Sequence, residues 1–160
     1  MKRQHAPPLA IGIGAVAGLR PMMALAVIAC ALRRGWIRPG RSPFARIVSA
    51  GASKRLAELT ISELIADKLP FTQSRLTAGP LASRVVSGAI CGVAIHGTLK
   101  QPVVQGAVLG GLGALAGAIA GYHVRQKLNR EMPEVEVALL EDALAAGGGA
   151  VTIALTAAAE

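Results

Sequence analysis

The sequence predicts an all-α membrane protein: a polytopic bundle of four spanning helices plus one polar helix that is re-entrant or interfacial. Three observations carry this. Gln101–Val124 is an uncharged run threaded with Gly106, Gly110, Gly111, Gly113, Gly117 and Gly121. A helix of about 20 residues or more spans the ~30 Å hydrocarbon core of a bilayer. Apolar residues make up 52% of the 160 residues and charged residues only 16%, against roughly 25% charge in soluble domains. Finally, Gly113, Gly117 and Gly121 recur every fourth residue, which lines one helix face with small residues and lets a second helix approach closely.

The chain is long enough for one domain. Residues 1–8 form a tail and residues 9–158 a single transmembrane helical domain. Lys2 and Arg3 precede an apolar stretch, and Val27-Ile28-Ala29-Cys30 has the look of a lipoprotein cleavage box. Arg20-Pro21 interrupts that stretch and Arg33-Arg34 follow it, so a retained first helix is expected.

Leu9–Leu32 is the first expected span, with Arg20 as its only charge. Pro21 lacks a backbone donor and disfavours helix at the preceding residue. Gly18, Arg20 and Pro21 therefore predict a kinked or broken helix, and Gly14 and Gly18 give it a small-residue face. Arg33–Arg46 reads as a basic cytoplasmic connector broken by Pro39, Gly40 and Pro43.

Ala50–Lys68 is helical in pattern but carries Lys54, Arg55, Glu58, Glu63, Asp67 and Lys68. Lys54, Arg55, Glu58 and Ser62 share one arc at about 100° per residue. Glu63 and Asp67, an i,i+4 pair, project together from the more apolar side. Leu69-Pro70 ends the helix. Leu81–Leu99 is the second span, with Arg84 near its start, Gly88 and Gly92 at small-residue spacing, and His96 near its end. Gln101–Val124 is the third. Tyr122 suits the interface, and Arg125, Lys127 and Arg130 follow. The fourth runs from Val137 to about Ala158, with Glu141 and Asp142 in its first turns and Gly147-Gly148-Gly149 in its middle.

Two topologies remain open. If Ala50–Lys68 stays at the surface, the basic residues of segments 33–84 and 125–130 share one side. The positive-inside bias then predicts an extracytoplasmic N-terminus. If Ala50–Lys68 crosses, little bias remains. Gly14-Ala15-Val16-Ala17-Gly18 also echoes Gly117-Ala118-Ile119-Ala120-Gly121. Each is followed later by an acidic helix, which suggests a weak inverted repeat of the kind found in transporters.

The net charge of +8 does not indicate nucleic acid. The basic residues lie between apolar runs, and aromatics, the stacking platforms of single-strand binders, are 2%. Basic flanks beside spans are attracted to anionic lipid. Cys30 and Cys91 lie inside apolar runs and offer no disulfide framework. His5, His96 and His123 are too scattered for a metal motif, and no cofactor is expected.

Four stretches, in chain order, carry a resemblance: Gly18-Leu19-Arg20-Pro21, Glu63-Leu64-Ile65-Ala66-Asp67-Lys68-Leu69-Pro70, Gly117-x-x-x-Gly121-Tyr122 and Glu141-Asp142-x-Leu144-Ala145. Together they resemble the uncharacterised membrane-protein family called domain of unknown function 4126, over roughly residues 9–155. The acidic stretch ending at Pro70 is its most specific part. The resemblance implies small bacterial multi-pass proteins with no assigned activity, and so residence in the cell inner membrane rather than a chemistry. The helix before Glu63 departs from the expected pattern in being more polar.

Charges at bilayer depth cost about 2.5–3.5 kcal/mol each on insertion scales. They face the bundle interior, pair, and mark pathways. The candidate transport or ion-pair cluster is therefore Arg20, Glu63, Asp67, Lys68, Glu141 and Asp142, with Arg20 paired to Glu141 or Asp142. The competing reading places the four acids at helix ends in the headgroup layer. Gly14, Gly18, Gly113, Gly117 and Gly121 are the candidate helix-packing residues. No phosphate-binding loop, hydrolytic triad or zinc-protease motif is present, so a non-enzyme is expected, with an intramembrane enzyme using the carboxylates as the alternative. The leading expectation is a small transporter or channel-like protein for a solute or ion, proton-coupled through the carboxylates and dimeric so as to enclose a path. The alternatives are a scaffold that docks other helices on its glycine faces and a lipid-binding or lipid-modifying protein.

Overall fold

Pro7 and Pro8 open the first helix, where their missing N–H groups cost nothing. A computed structural model of the chain describes residues 5–38 and 78–160. The polar helix expected at Ala50–Lys68, with Glu63, Asp67 and Lys68, lies outside the described residues. Those residues form five helices: α1 (Ala6–Leu19), α2 (Pro21–Arg33), α3 (Ala78–Thr98), α4 (Val103–Leu128) and α5 (Glu134–Ala159).

The first expected span is not one helix. Arg20 has extended backbone, φ −140° and ψ 95°, as the residue before proline prefers. Its N–H closes α1 by donating to the Val16 carbonyl at 2.8 Å, and its own carbonyl accepts from Ala24 N–H at 3.2 Å in α2. The chain also reverses there. A Cβ on Gly148 would lie 3.2 Å from Val16, and one on the adjacent Gly149 would lie 3.2 Å from Val27. In a continuous helix Val16 and Val27 would be about 16 Å apart. Instead they meet neighbouring residues of α5 at one level. α1 and α2 are 14 and 13 residues long, about 21 and 20 Å, short of the ~30 Å core. The Leu9–Leu32 span is therefore corrected to a helical hairpin. The predicted break is at Arg20-Pro21, but it turns the chain back.

Among the described residues three helices are long and apolar enough to cross a membrane: Gly79–Thr98, Val103–Leu128 and Glu134–Ala159. On their outer faces Val104, Val108, Leu112, Leu144, Val151 and Leu155 are exposed, a surface suited to lipid. Leu9, Ile13, Val16, Leu25, Ile28, Ile95 and Ile153 pack inside. Thr152 and Thr156 satisfy their hydroxyls by donating to the carbonyls one turn back, Gly148 and Thr152. The described residues form an all-helical membrane bundle.

Glycines set its spacing. On α4, Gly113 lies against the backbone of Ile11 and Gly117 against that of Ala15, while Gly14 and Gly18 of α1 meet Gly110 and Ala114. Positions rise together along the two helices, so α1 and α4 are parallel. Gly88 and Gly92 of α3 meet Gly110 and Gly106 in reverse order, so α3 and α4 are antiparallel. Gly121 ends the row, where a Cβ would come 2.6 Å from the Leu19 side chain. The two glycine echoes are thus parallel packing partners rather than inverted copies.

The open end of the hairpin lies with the α3–α4 turn and the end of α5. Thr98 donates to the Arg38 carbonyl at 3.0 Å, and Arg38 N–H to Glu160 at 3.0 Å. Arg33, Arg34 and Arg38 therefore share an end with Lys100, opposite Arg125, Lys127 and Arg130. The arrangement that puts the basic residues of segments 33–84 and 125–130 on one side does not hold for Arg33, Arg34 and Arg38. Among the described residues the bias behind an extracytoplasmic N-terminus is removed. Arg38 and Ala78, which bracket positions 39–77, lie at opposite ends of the bundle.

Candidate functional site

The break at Pro21 carries Arg20 into the interior, where it is 2% exposed. Its Nε lies 2.7 Å from Oδ1 of Asp142 on α5. Asp142 sits about 7 Å from the midpoint of α5 at 1.5 Å per residue, which is within the hydrocarbon core for a centred helix. Among the described residues the Arg20 pairing expected from sequence is formed with Asp142.

Arg84 of α3 reaches the same tip from the other side. It is 6% exposed, and its Nη1 donates to the Leu19 carbonyl at 2.9 Å and to the Gly18 carbonyl. These are among the last carbonyls of α1, which have no further turn to accept from. They form the negative end of its dipole, where a cation is favoured. The hairpin tip thus carries two buried guanidinium groups, one ion-paired and one capping.

Glu141 belongs to a second ion-pair group beside it. Arg125, from the last turn of α4, places Nη1 3.6 Å from Glu141 Oε2 and Nη2 2.8 Å from Glu134 Oε1. Glu134 and Glu141 are seven residues apart, two turns along one face of α5. Their surroundings differ: Glu134 is 72% exposed and Glu141 8%. The first turn of α5 already has Glu134 and Glu136, where acids favour a helix N-terminus. Glu141 and Asp142 lie deeper and are mostly covered, so neither is a solvated helix end.

Of the predicted cluster, Arg20 and Asp142 are brought together, and Glu141 pairs with Arg125 instead. Glu63, Asp67 and Lys68 lie outside the described residues. Arg84 and Arg125 were missed. Arg84 carries the same signal as Arg20, a lone charge in an apolar window. Arg125 reads as an ordinary basic flank until the loop to α5 brings Glu134 and Glu141 to its guanidinium. At the far end His96 is fully buried, and its Nδ1 donates to the Pro102 carbonyl at 3.0 Å, tying the α3–α4 turn. A carbonyl only accepts, which fixes that tautomer.

No curated protein and no solved structure matches the chain. The family model described as Domain of unknown function (DUF4126) matches residues 8–159. That match covers the hairpin, its charged tip and all three long helices, and the chain belongs to this family.

Proposed function

We propose that the protein moves a small solute or ion across the membrane, with the hairpin tip as the element that binds or gates it. The observation that carries this reading is the Arg20–Asp142 pair at a break in helical structure inside the bundle. Non-helical backbone is tolerated at membrane depth only where protein covers it or a cavity adjoins it, and broken helices at such depth form the sites of many transporters. Buried charges in spans mark pathways for the same energetic reason. A dimer in the inner membrane, enclosing a path that one small chain cannot, is part of the proposal.

The scaffold alternative gains less support. Gly113 and Gly117, the faces on which a foreign helix would dock, are filled by Ile11 and Ala15 of the same chain.

The test is electrical. Proteoliposomes on a solid-supported membrane are given proton, sodium and chloride concentration jumps. At least one jump is expected to give a current above protein-free liposomes, and Asp142→Asn to reduce it to background. No current with any of the three, or a current unchanged in Asp142→Asn, contradicts the reading.

A further inference from the structure

We infer that the groove between the start of α1 and the end of α5 holds one acyl chain of an anionic phospholipid, whose headgroup sits at the open end of the hairpin. This goes beyond the transport reading and does not depend on it.

The groove is a cavity of about 450 Å³, lined among others by His5, Pro8, Gly12, Thr152, Leu155 and Ala159. That volume falls within the ~300–1,000 Å³ of small-molecule sites, which are mostly apolar with a few polar groups. The walls here are apolar side chains and glycine apart from His5 and Thr152. Thr152 gives its hydroxyl proton to the Gly148 carbonyl at 2.8 Å, so the inner end asks for no polar partner. Pro8 and Leu155 are exposed, so the groove is open along the outer surface of the bundle, where lipid tails lie. α5 packs on α1 and α2 and hardly touches α4. That leaves one side of α1 uncovered, with Ile11 beside Gly12 at 43% exposure.

The depth of the groove selects the lipid that can enter it. From His5 to Gly12 it follows seven residues of α1, about 10 Å. Half of the ~30 Å hydrocarbon core is deeper than that. The groove therefore starts at one end of the bundle and stops short of the midplane. A chain lying in it belongs to a lipid whose headgroup is at that same end. Trp36 is exposed there, with the Arg34 guanidinium 5.0 Å from its ring centre, and tryptophan favours the headgroup level.

Charge complementarity names the headgroup. Ala159 lines the groove, and the next residue, Glu160, accepts from the Arg38 N–H at 3.0 Å. Arg38 thus stands beside the mouth. It is exposed, as are Arg33, Arg34 and Lys100 at the same end. Among the described residues Glu160 is the one acid there. At the opposite end Arg125, Lys127 and Arg130 are matched by Glu131, Glu134 and Glu136. The excess of positive charge lies at the mouth, and basic residues at a membrane surface attract anionic lipid.

Native mass spectrometry of the full chain tests this, after incubation in detergent with equal amounts of palmitoyl-oleoyl phosphatidylglycerol and phosphatidylcholine. The two lipids share their chains and differ in headgroup charge. One phosphatidylglycerol per chain is expected, in about fivefold or greater excess over phosphatidylcholine. Gly12→Leu should lose most of that adduct. A Cβ there meets Thr152 Oγ1 at 3.4 Å, an ordinary contact, so the rest of the side chain fills the groove. Should Gly12→Leu fail to fold, Leu155→Trp fills the groove from its exposed wall and should show the same loss. Gly147→Leu, with nothing within 4 Å of an added Cβ, should keep the adduct. The combined change Arg33→Gln, Arg34→Gln and Arg38→Gln should bring the two lipids within about twofold of each other. No adduct, equal retention of both lipids by the wild type, or an adduct that survives a filled groove overturns the assignment. So does a ladder of adducts with no stop at one, which is annular lipid. A dimer that carries no lipid and is lost in Gly12→Leu would seat a second copy in the groove and overturn it as well.

Discussion

Gly110→Leu is expected to leave almost no folded protein in the membrane fraction. Gly110 lies where three helices meet. Its own Cβ would fall within 3.0 Å of the Gly88 carbonyl carbon and 3.1 Å of the Gly92 Cα, while Gly14 of α1 approaches the Gly110 carbonyl from another direction. These contacts are backbone, so no side chain can rotate away. Helix association in lipid depends on such close packing, because lipid tails are as apolar as leucine and give no hydrophobic drive. Even Gly110→Ala should cost about 2 kcal/mol, in the range for overpacked interiors. The larger leucine must separate α4 from α3. Gly147, on the outer side of α5, has nothing within 4 Å of an added Cβ, so Gly147→Leu is the control. Monodisperse yield in detergent and the Tm separate them: the first variant collapses on both and the second keeps both. Equal behaviour of the two would mean that the α3–α4–α1 contact does not hold the bundle.

The second large effect is expected at Asp142. Asp142→Asn keeps the shape and removes the negative charge beside a guanidinium that is 2% exposed. Breaking a buried ion pair by neutralising one partner costs about 3–5 kcal/mol. Glu134→Gln removes a charge of the same sign from a site that is 72% exposed, where an ion pair is worth about 0–1 kcal/mol. Thermal unfolding in detergent should therefore rank Asp142→Asn well below wild type and place Glu134→Gln close to it. The same rank order in lipid nanodiscs would show that the effect belongs to the site. Equal, small losses in both variants would mean that Arg20 does not depend on Asp142.

Much of this was legible in the residues. Arg20-Pro21 announced a break, because proline fixes φ and constrains its predecessor wherever it stands. The direction of the chain after the break was not legible. It is set by α5, whose Gly148 and Gly149 receive Val16 and Val27 side by side, a contact more than 120 residues away in sequence. The Arg20 pairing could be anticipated because a charge at bilayer depth has to find an opposite one. Arg84 carries the same signal in spite of its place near a helix start, and it reaches inward to the carbonyls of α1. The every-fourth glycines of α4 declared a packing face, but small residues do not say whose helix fills it. Here Ile11 and Ala15 of the same chain do, and a second glycine face at Gly106 and Gly110 takes α3.

The hairpin is the feature on which the site, the topology and the proposed gating all depend, and its sidedness can be measured. Single cysteines are introduced as His5→Cys, Trp36→Cys and Arg130→Cys, with Cys30 and Cys91 replaced by alanine, and labelled in sealed, oriented vesicles with a membrane-impermeant thiol reagent. A reversal at Arg20 places His5 and Trp36 on one face of the membrane and Arg130 on the other. Labelling of positions 5 and 36 from the same side, and of 130 from the opposite side, is the expected result. Labelling of 5 and 36 from opposite sides would make Leu9–Leu32 a spanning helix after all, and would contradict the hairpin and the site built on its tip.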